Sequence, residues 1–417
     1  MSPPVSAAAK SGMAAQSTLD VFVGRQPIFN RDLKVVAYEL LFRAGDVADA
    51  GVVDGDQATS QLLLNTFTDI GLDQIVGKRP AFINFTRPFI LGTYSFPFPK
   101  DRVVMEILED ITVDEELIEA VHGLARDGYR IALDDFVSSH TLNPLVPFAD
   151  IVKLDIRAVR RDRLEEHVAS LRQHNVEILA EKVEHPDDLE FCASLGIDYF
   201  QGFFLSKPKI VKGRSLPSNR QMTLRVLAKF HDPDIELMEL EEAIRQDLSL
   251  SYKLLRLVNS AFYGVPRKIS SIRQALMLLG VQRVRAWATL LILSGINDKP
   301  HELMVTAFLR AKMCELLAQA LDEDDPDTNF TVGLFSTLDA FLDLPMQEAL
   351  ASLPLSEDIT EALLNQEGEH GAVLRCVLAY ERGEWSRVTC PGLEPSEIRD
   401  AYLEAAKWAA EASNELK

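Results

Sequence analysis

The chain has only four cysteines in 417 residues, and Cys192, Cys314, Cys376 and Cys390 form no CxxC pair. Their scatter excludes a disulfide framework and a zinc site, leaving buried thiols in a reducing cytoplasm as the reading. No apolar run reaches membrane-spanning length. The nearest, Ala275–Leu293, is interrupted by Gln282, Arg283 and Arg285, and a charge at mid-bilayer costs roughly 2.5–3.5 kcal/mol; a buried helix fits better. A secretory signal is not expected either. Residues 1–16 are rich in Ala, Ser and Pro without a continuous apolar core, so residues 1–18 are expected to be a disordered leader on a cytoplasmic protein. Positive charge is scarce: 43 Lys and Arg face 63 Asp and Glu, a net charge of −20 that repels nucleic acid and anionic membranes. No fixed-length repeat or low-complexity tract occurs. What remains, 47% hydrophobic and 25% charged residues, is the composition of a folded protein long enough for two or three domains.

Eight short runs rich in β-branched and aromatic residues lie between about Val21 and Pro208: Val21–Val23, Val35–Leu40, Ala81–Asn84, Val103–Leu108, Arg130–Leu133, Ile151–Leu154, Glu177–Ala180 and Tyr199–Phe203. Helical spacing between them, as in Glu115–Asp127 and Asp162–His174, predicts parallel strands covered by helices. A barrel with its chemistry at the C-terminal rim is the expected closure, an open doubly wound sheet the alternative. After Pro208 the pattern becomes helical. Expected helices are Ile235–Gln246, Leu248–Val258, Ile272–Leu279, Arg283–Ser294, Leu303–Leu321, Thr331–Phe341 and Ser396–Ala410. The connector containing Lys207, Lys209, Lys212 and Arg214 sets a boundary near Gly213, giving an α/β unit at 19–212 and an all-α unit at 213–417.

The informative feature is where the acids fall. As the apolar runs close, they deliver Glu39, Asn84, Glu106, the pair Asp134–Asp135, Lys153 and Glu181. One strand-end carboxylate is ordinarily a helix cap. Several converging at one barrel mouth would each be costly to bury unpaired and would have to share a cation. Oxygen donors with an Asn and no Cys or His select Mg²⁺ or Mn²⁺. Two such ions suit in-line displacement at phosphorus, to which Lys153 adds a fixed positive charge.

The ordered segments GRQPIF (Gly24–Phe29), YELLFR (Tyr38–Arg43), INF (Ile83–Phe85), MEILED (Met105–Asp110), ALDDF (Ala132–Phe136), VKLD (Val152–Asp155), AEKVE (Ala180–Glu184) and FQGFFLSKP (Phe200–Pro208) resemble the motifs of the EAL domain. That family consists of (β/α)₈-type barrels that hydrolyse cyclic di-GMP to linear pGpG with two Mg²⁺ or Mn²⁺ ions. The resemblance implies that Glu39, Asn84, Glu106, Asp134 and Asp135 hold metal. It implies that Lys153 and Glu181 position or activate water, that Gln26 and Arg43 contact the ligand, and that Glu184 and Gln201 support that site. Two departures stand out. The signature motif reads Glu39-Leu40-Leu41, without the middle Ala. The loop Val137–Leu145 lacks the glycines usual after the Asp pair, and with them the φ > 0 options they allow. In the family this loop couples metal binding to dimerisation, so a homodimer is compatible with the resemblance.

Residues from about Ser215 to Trp385 resemble the HDOD domain, an all-α relative of HD phosphohydrolases, through Leu216–Phe230, Ala243–Gly264 and Ile272–Trp287. No metal hydrolysis is expected in this half. Its one His-Asp doublet, His231-Asp232, opens a proline-containing turn and reads as an N-cap, and Gly333–Leu338 stands where catalytic relatives would carry a doublet. The expected role is regulatory, through a protein partner the sequence does not identify. His140, His167, His174 and His185 read as surface side chains. Trp287, Phe262 and Tyr263 read as core, and Arg283 and Arg285 as partners of acids. Two functions are compatible with these residues: hydrolysis of cyclic di-GMP tuned by the helical half, or a catalytically degenerate receptor or scaffold acting through protein contacts.

Overall fold

A computed structural model describes residues 21–44, 72–93, 99–134, 136, 140–204, 218–259, 269–294, 296, 299–323 and 325–415. The expected leader, Asp135, Val137–Ser139, Phe262, Tyr263 and the boundary near Gly213 lie outside them.

Eight strands close into a barrel in sequence order. They are β1 (Val21–Asn30), β2 (Val35–Ala44), β3 (Ala81–Phe85), β4 (Val103–Ile107), β5 (Arg130–Leu133), β6 (Ile151–Asp155), β7 (Glu177–Glu181) and β8 (Tyr199–Gln201). Every expected strand is present, and the barrel replaces the open-sheet alternative. One feature departs from a uniformly parallel barrel: β1 runs antiparallel to both β2 and β8. Only Arg31–Lys34 separate β1 from β2, too few residues for the crossover a parallel pair needs. The Asn30 side chain closes this turn by accepting from the Asp32 and Lys34 amides at 3.1 and 3.0 Å.

Side-chain alternation along the strands then builds the interior. A lower inward layer is apolar, made by Ile28, Ala37, Phe82, Val104, Ala132, Ile151 and Leu179. Two residues nearer the rim, later on β2 to β7 and earlier on the antiparallel β1, lie Glu39, Asn84, Glu106, Asp134, Lys153 and Glu181, and Gln26. The polar set is therefore one layer on an apolar floor. The opposite strand faces pack under helices such as Glu115–Arg126 and Arg161–Leu171, in a second apolar core.

The rest of the described chain is helical, with its own core. The helix His301–Ala320 runs through its middle, buried on nearly every side. Trp287 belongs to this core, with Phe308, Phe330 and Trp408 within 6.0 Å of one another or of its ring, as expected. The stretch expected as one helix over Thr331–Phe341 is two, Pro326–Phe335 and Leu338–Leu342. Ser336 and Thr337 divide them, each turning its hydroxyl onto a carbonyl three residues back. Likewise Ala275–Leu293 is not one buried helix: Gly280, at φ +82, separates Ile272–Leu279 from Val281–Ser294. Among the described residues no helix is long and apolar enough to cross a membrane.

His231 differs from the expected cap. It is buried, stacks edge-on against Phe335 and bonds Thr289 at 2.9 Å, and burial holds it neutral by lowering its pKa to about 4. Asp232 caps no helix either: its carboxylate accepts the Asp234 amide within the turn, and the next helix begins at Leu237 with Glu236 at its N-cap. Pro233 between Asp232 and Asp234 favours the turn over a helix start. Arg283 pairs with Glu315 and Asp327 as expected, whereas buried Arg285 donates to the Asp232 carbonyl. All four cysteines are buried and unpaired.

The two halves touch through the barrel's first strands. The Tyr380 hydroxyl accepts from the Val23 amide and donates to its carbonyl, Tyr402 accepts from the Arg25 amide, and Tyr38 donates to Glu302.

Candidate active site

At the centre of the polar layer stands Lys153, fully buried on β6. Its ammonium lies 2.7 Å from Glu106, 2.8 Å from Glu181, 3.1 Å from Asp134 and 3.4 Å from Glu39. Residues separated by as many as 142 positions thus share one charge partner because each follows its strand's last inward apolar residue. Asn84 joins them through strand register, directly opposite Glu106. Gln201 closes the ring, its amide donating to Gln26 at 2.9 Å and to Glu39. The end of β8 reaches this position only through Gly202, at φ +145, where a Cβ would collide with the Val183 backbone.

The electrostatics are unbalanced. Four carboxylates surround one ammonium in a site from which water is largely excluded. Burial drives the Glu106 carboxyl well above the carboxylate range, Lys153 opposes this, and Glu39 and Asp134 reinforce it. Burial likewise pushes Glu181 up to about 8, again against Lys153 and with Asp134 and Glu39. Burial alone would lower Lys153; the four acids override it and hold the lysine well above its usual value. The Lys153 ammonium is the charged partner of Glu106, and the Asn84 side-chain oxygen has no donor among the described residues. A buried oxygen without a donor, in a ring short of positive charge, is chemically suited to a hard cation. As the side chains stand, however, no three acids, histidines or cysteines among the described residues are grouped as a metal ion requires.

Above it opens a cavity of about 500 Å³, within the usual range for small-ligand sites. Gln26, Glu39, Asp134, Glu181, Glu184 and Gln201 line it, so the structure brings these expected residues together. Glu184 is half exposed and also pairs with Arg157 at 3.5 Å. Arg43 sits on β2 opposite Phe22, and its side chain lies outside what is described, as does Asp135. Sequence reasoning missed Glu109, Lys182, Phe203 and a wall from the helical half, Arg382, Gly383 and Trp385. Glu109 and Lys182 adjoin the strand ends and could have been found there. The wall carries no local signal linking it to the barrel. The segment expected as the altered loop is a 3-10 helix over His140–Phe148, with Leu142, Leu145 and Val146 buried.

Comparison with known proteins adds the following. Residues 78–208 match the EAL domain and residues 216–367 the HDOD domain. Gln26, Glu39 and Arg43 precede the first span. The uncharacterized protein YuxH of Bacillus subtilis is 34% identical over 399 residues, 93% of this chain and 98% of that protein. The cyclic di-GMP phosphodiesterase CdgJ of Vibrio cholerae is 34% identical over 397 residues, 93% of this chain and 92% of that protein. Among solved structures, the YkuI protein of Bacillus subtilis, which has an EAL domain and was crystallised with cyclic di-GMP and calcium, is 21% identical, covering 62% of this chain and 72% of that one at a TM-score of 0.36.

Proposed function

The chain belongs to the family of proteins that join an EAL domain to an HDOD domain, and from that premise we propose that it is a signalling phosphodiesterase whose barrel binds cyclic di-GMP and hydrolyses it to linear pGpG. One observation carries the reading: four carboxylates from four strands converge on Lys153 at the floor of a nucleotide-sized cavity, with Asn84 in register beside Glu106 and its side-chain oxygen without a donor among the described residues.

Glu39, Asn84, Glu106 and Asp134 would hold two divalent ions, Mg²⁺ or Mn²⁺, with Asp135 beside Asp134 in the chain. Bound there, such ions supply an acidified water and neutralise the departing oxygen. Everything else falls to the chain. A water oxygen attacks phosphorus while the bond from phosphorus to the ribose oxygen breaks. Glu181, held beside Lys153, takes the proton of the attacking water in its ionised form, and the departing ribose oxygen leaves as a hydroxyl by gaining a proton from solvent. Lys153 holds Glu181 in place and offsets negative charge on the phosphoryl oxygens. Gln26 and Gln201, bonded to each other, position the ligand from the antiparallel side of the barrel, with Arg43 and Glu184 at the rim. The helical half acts as the regulatory module that recruits a protein partner.

A second reading, a receptor that binds without turnover, draws support from His140–Phe148: its buried Leu142, Leu145 and Val146 make a packed segment where a glycine-rich loop would move. Turnover separates the two. Purified protein with manganese should convert cyclic di-GMP to pGpG, and Glu39→Ala should not. Wild type that binds the nucleotide without product would establish the receptor instead.

A further inference from the structure

The helical half reaches into the barrel's cavity at one place, directly after the helix Gly368–Glu381. There Arg382, Gly383 and Trp385 form a wall of the same space that Glu39, Glu181 and Gln201 line. The wall is tightly seated. Trp385 stands edge-on to Tyr380, with ring centroids 5.2 Å apart, and the Tyr380 hydroxyl is fastened to both backbone groups of Val23. Gly24 makes room for the indole, since a Cβ there would come within 3.2 Å of Trp385 Cη2. Gly383, at φ +66, lets the chain turn against Leu41. The indole is thus held against β1, and the turn at Gly383 against β2, the strands that carry Gln26 and Glu39.

The chemistry of this wall complements what the barrel lacks. The cavity's other charged lining is mostly acidic, Glu39, Glu109, Asp134, Glu181 and Glu184, with Lys182 the exception, and Lys182 is paired with Asp155. Arg382 is 43% exposed, pairs with Glu384 at 3.9 Å, and stands 6.0 Å from the Phe203 ring. A ligand with two phosphates and two purine bases needs positive charge and flat apolar faces. Arg382 offers the first; Trp385, with Phe203, offers the second.

We propose that the helical half completes the nucleotide site, Trp385 stacking on a base of the cyclic dinucleotide and Arg382 pairing with a phosphate. The proposal rests on the reading of the barrel as a cyclic di-GMP site. It makes the two halves one binding unit, so that nucleotide occupancy bears directly on the helical half.

The test is calorimetric titration of the full chain and its variants with cyclic di-GMP, using calcium as the divalent ion. Losing one stacked base weakens binding roughly 5- to 100-fold. Trp385→Ala and Arg382→Gln should each raise Kd within that range, and Trp385→Phe, which retains a flat face, should stay within about threefold of wild type. Melting temperatures of the same proteins identify any loss that comes from a loosened wall: a weak Trp385→Phe with an unchanged melting temperature contradicts stacking. Unchanged Kd in both Trp385→Ala and Arg382→Gln, with wild type binding, overturns this inference and leaves the function intact. Failure of wild type to bind overturns both.

Discussion

Replacing Lys153 with Met tests the electrostatic picture at its centre. The substitution keeps most of the side-chain volume but removes the one ammonium that four acids approach within 3.4 Å. Removing one partner of a buried ion pair costs about 3–5 kcal/mol. In a domain of this size each kcal/mol moves the melting temperature by about 2–4 °C, so a fall of roughly 6–20 °C follows at pH 8 with divalent ions chelated. The loss depends on pH in a direction the geometry fixes. Burial raises both Glu106 and Glu181, the latter to about 8 from an ordinary 4.5, so between about pH 4.5 and 8 the folded chain holds protons that the unfolded chain releases. Stability contributed by this cluster therefore falls as pH rises through that window. Lys153 opposes both upward shifts; without it they grow and the penalty at pH 8 deepens. At pH 5.5 Glu181 is protonated and needs no ammonium, and Glu106 is shifted in the same direction, so the variant should lose less than about half as much. Thermal melts of both proteins at pH 5.5 and 8 in EDTA provide the measurement. A fall under about 3 °C, or equal falls at both pH values, would refute the reasoning.

Glu106→Gln should have opposite effects on stability and metal binding: neutralising a buried acid raises the melting temperature in EDTA at pH 8, while manganese affinity measured by calorimetry drops at least about tenfold. Equal manganese affinity in both proteins would contradict its role. Gly202→Ala should lower the melting temperature, since φ +145 and the collision with Val183 impose strain of about 1–3 kcal/mol or more, and it should weaken nucleotide binding by displacing Gln201. A variant that melts like wild type would show that β8 closes without the glycine. Tyr380→Phe leaves a buried amide and carbonyl of Val23 without their partner, a cost of about 1–3 kcal/mol, and faster hydrogen exchange at the Val23 amide should accompany it. Unaltered exchange there would place the anchoring elsewhere.

How much of this was legible in the sequence follows from how local each signal is. Alternation along a strand is local, so the polar residues of β2 to β7 could be placed on one layer before any coordinates. Lys153 as the hub was not legible, because its position among four acids depends on barrel closure rather than on its neighbours in the chain. The reversed β1 was not legible: the β-rich run ends at Val23, and only the strand's extension to Asn30 leaves the four residues Arg31–Lys34, too few for a crossover. The break at Ser336 and Thr337 left none in the hydrophobic pattern, since apolar spacing continues across it. The wall at Trp385 was beyond reach for a different reason. Its contacts with Gly24 and, through Tyr380, with Val23 join segments more than 350 residues apart, and an isolated Gly-Glu-Trp after a helix reads only as a turn.

The central claim is that Glu39, Asn84, Glu106 and Asp134 take up paired divalent ions at the mouth of the barrel. Anomalous diffraction from crystals of the protein grown with manganese tests it most directly. The account predicts two manganese peaks in the cavity above Lys153, at least one in contact with both the Asn84 oxygen and Glu106. Density without any manganese at the barrel, with the four carboxylates still gathered on the Lys153 ammonium at saturating metal, would contradict it.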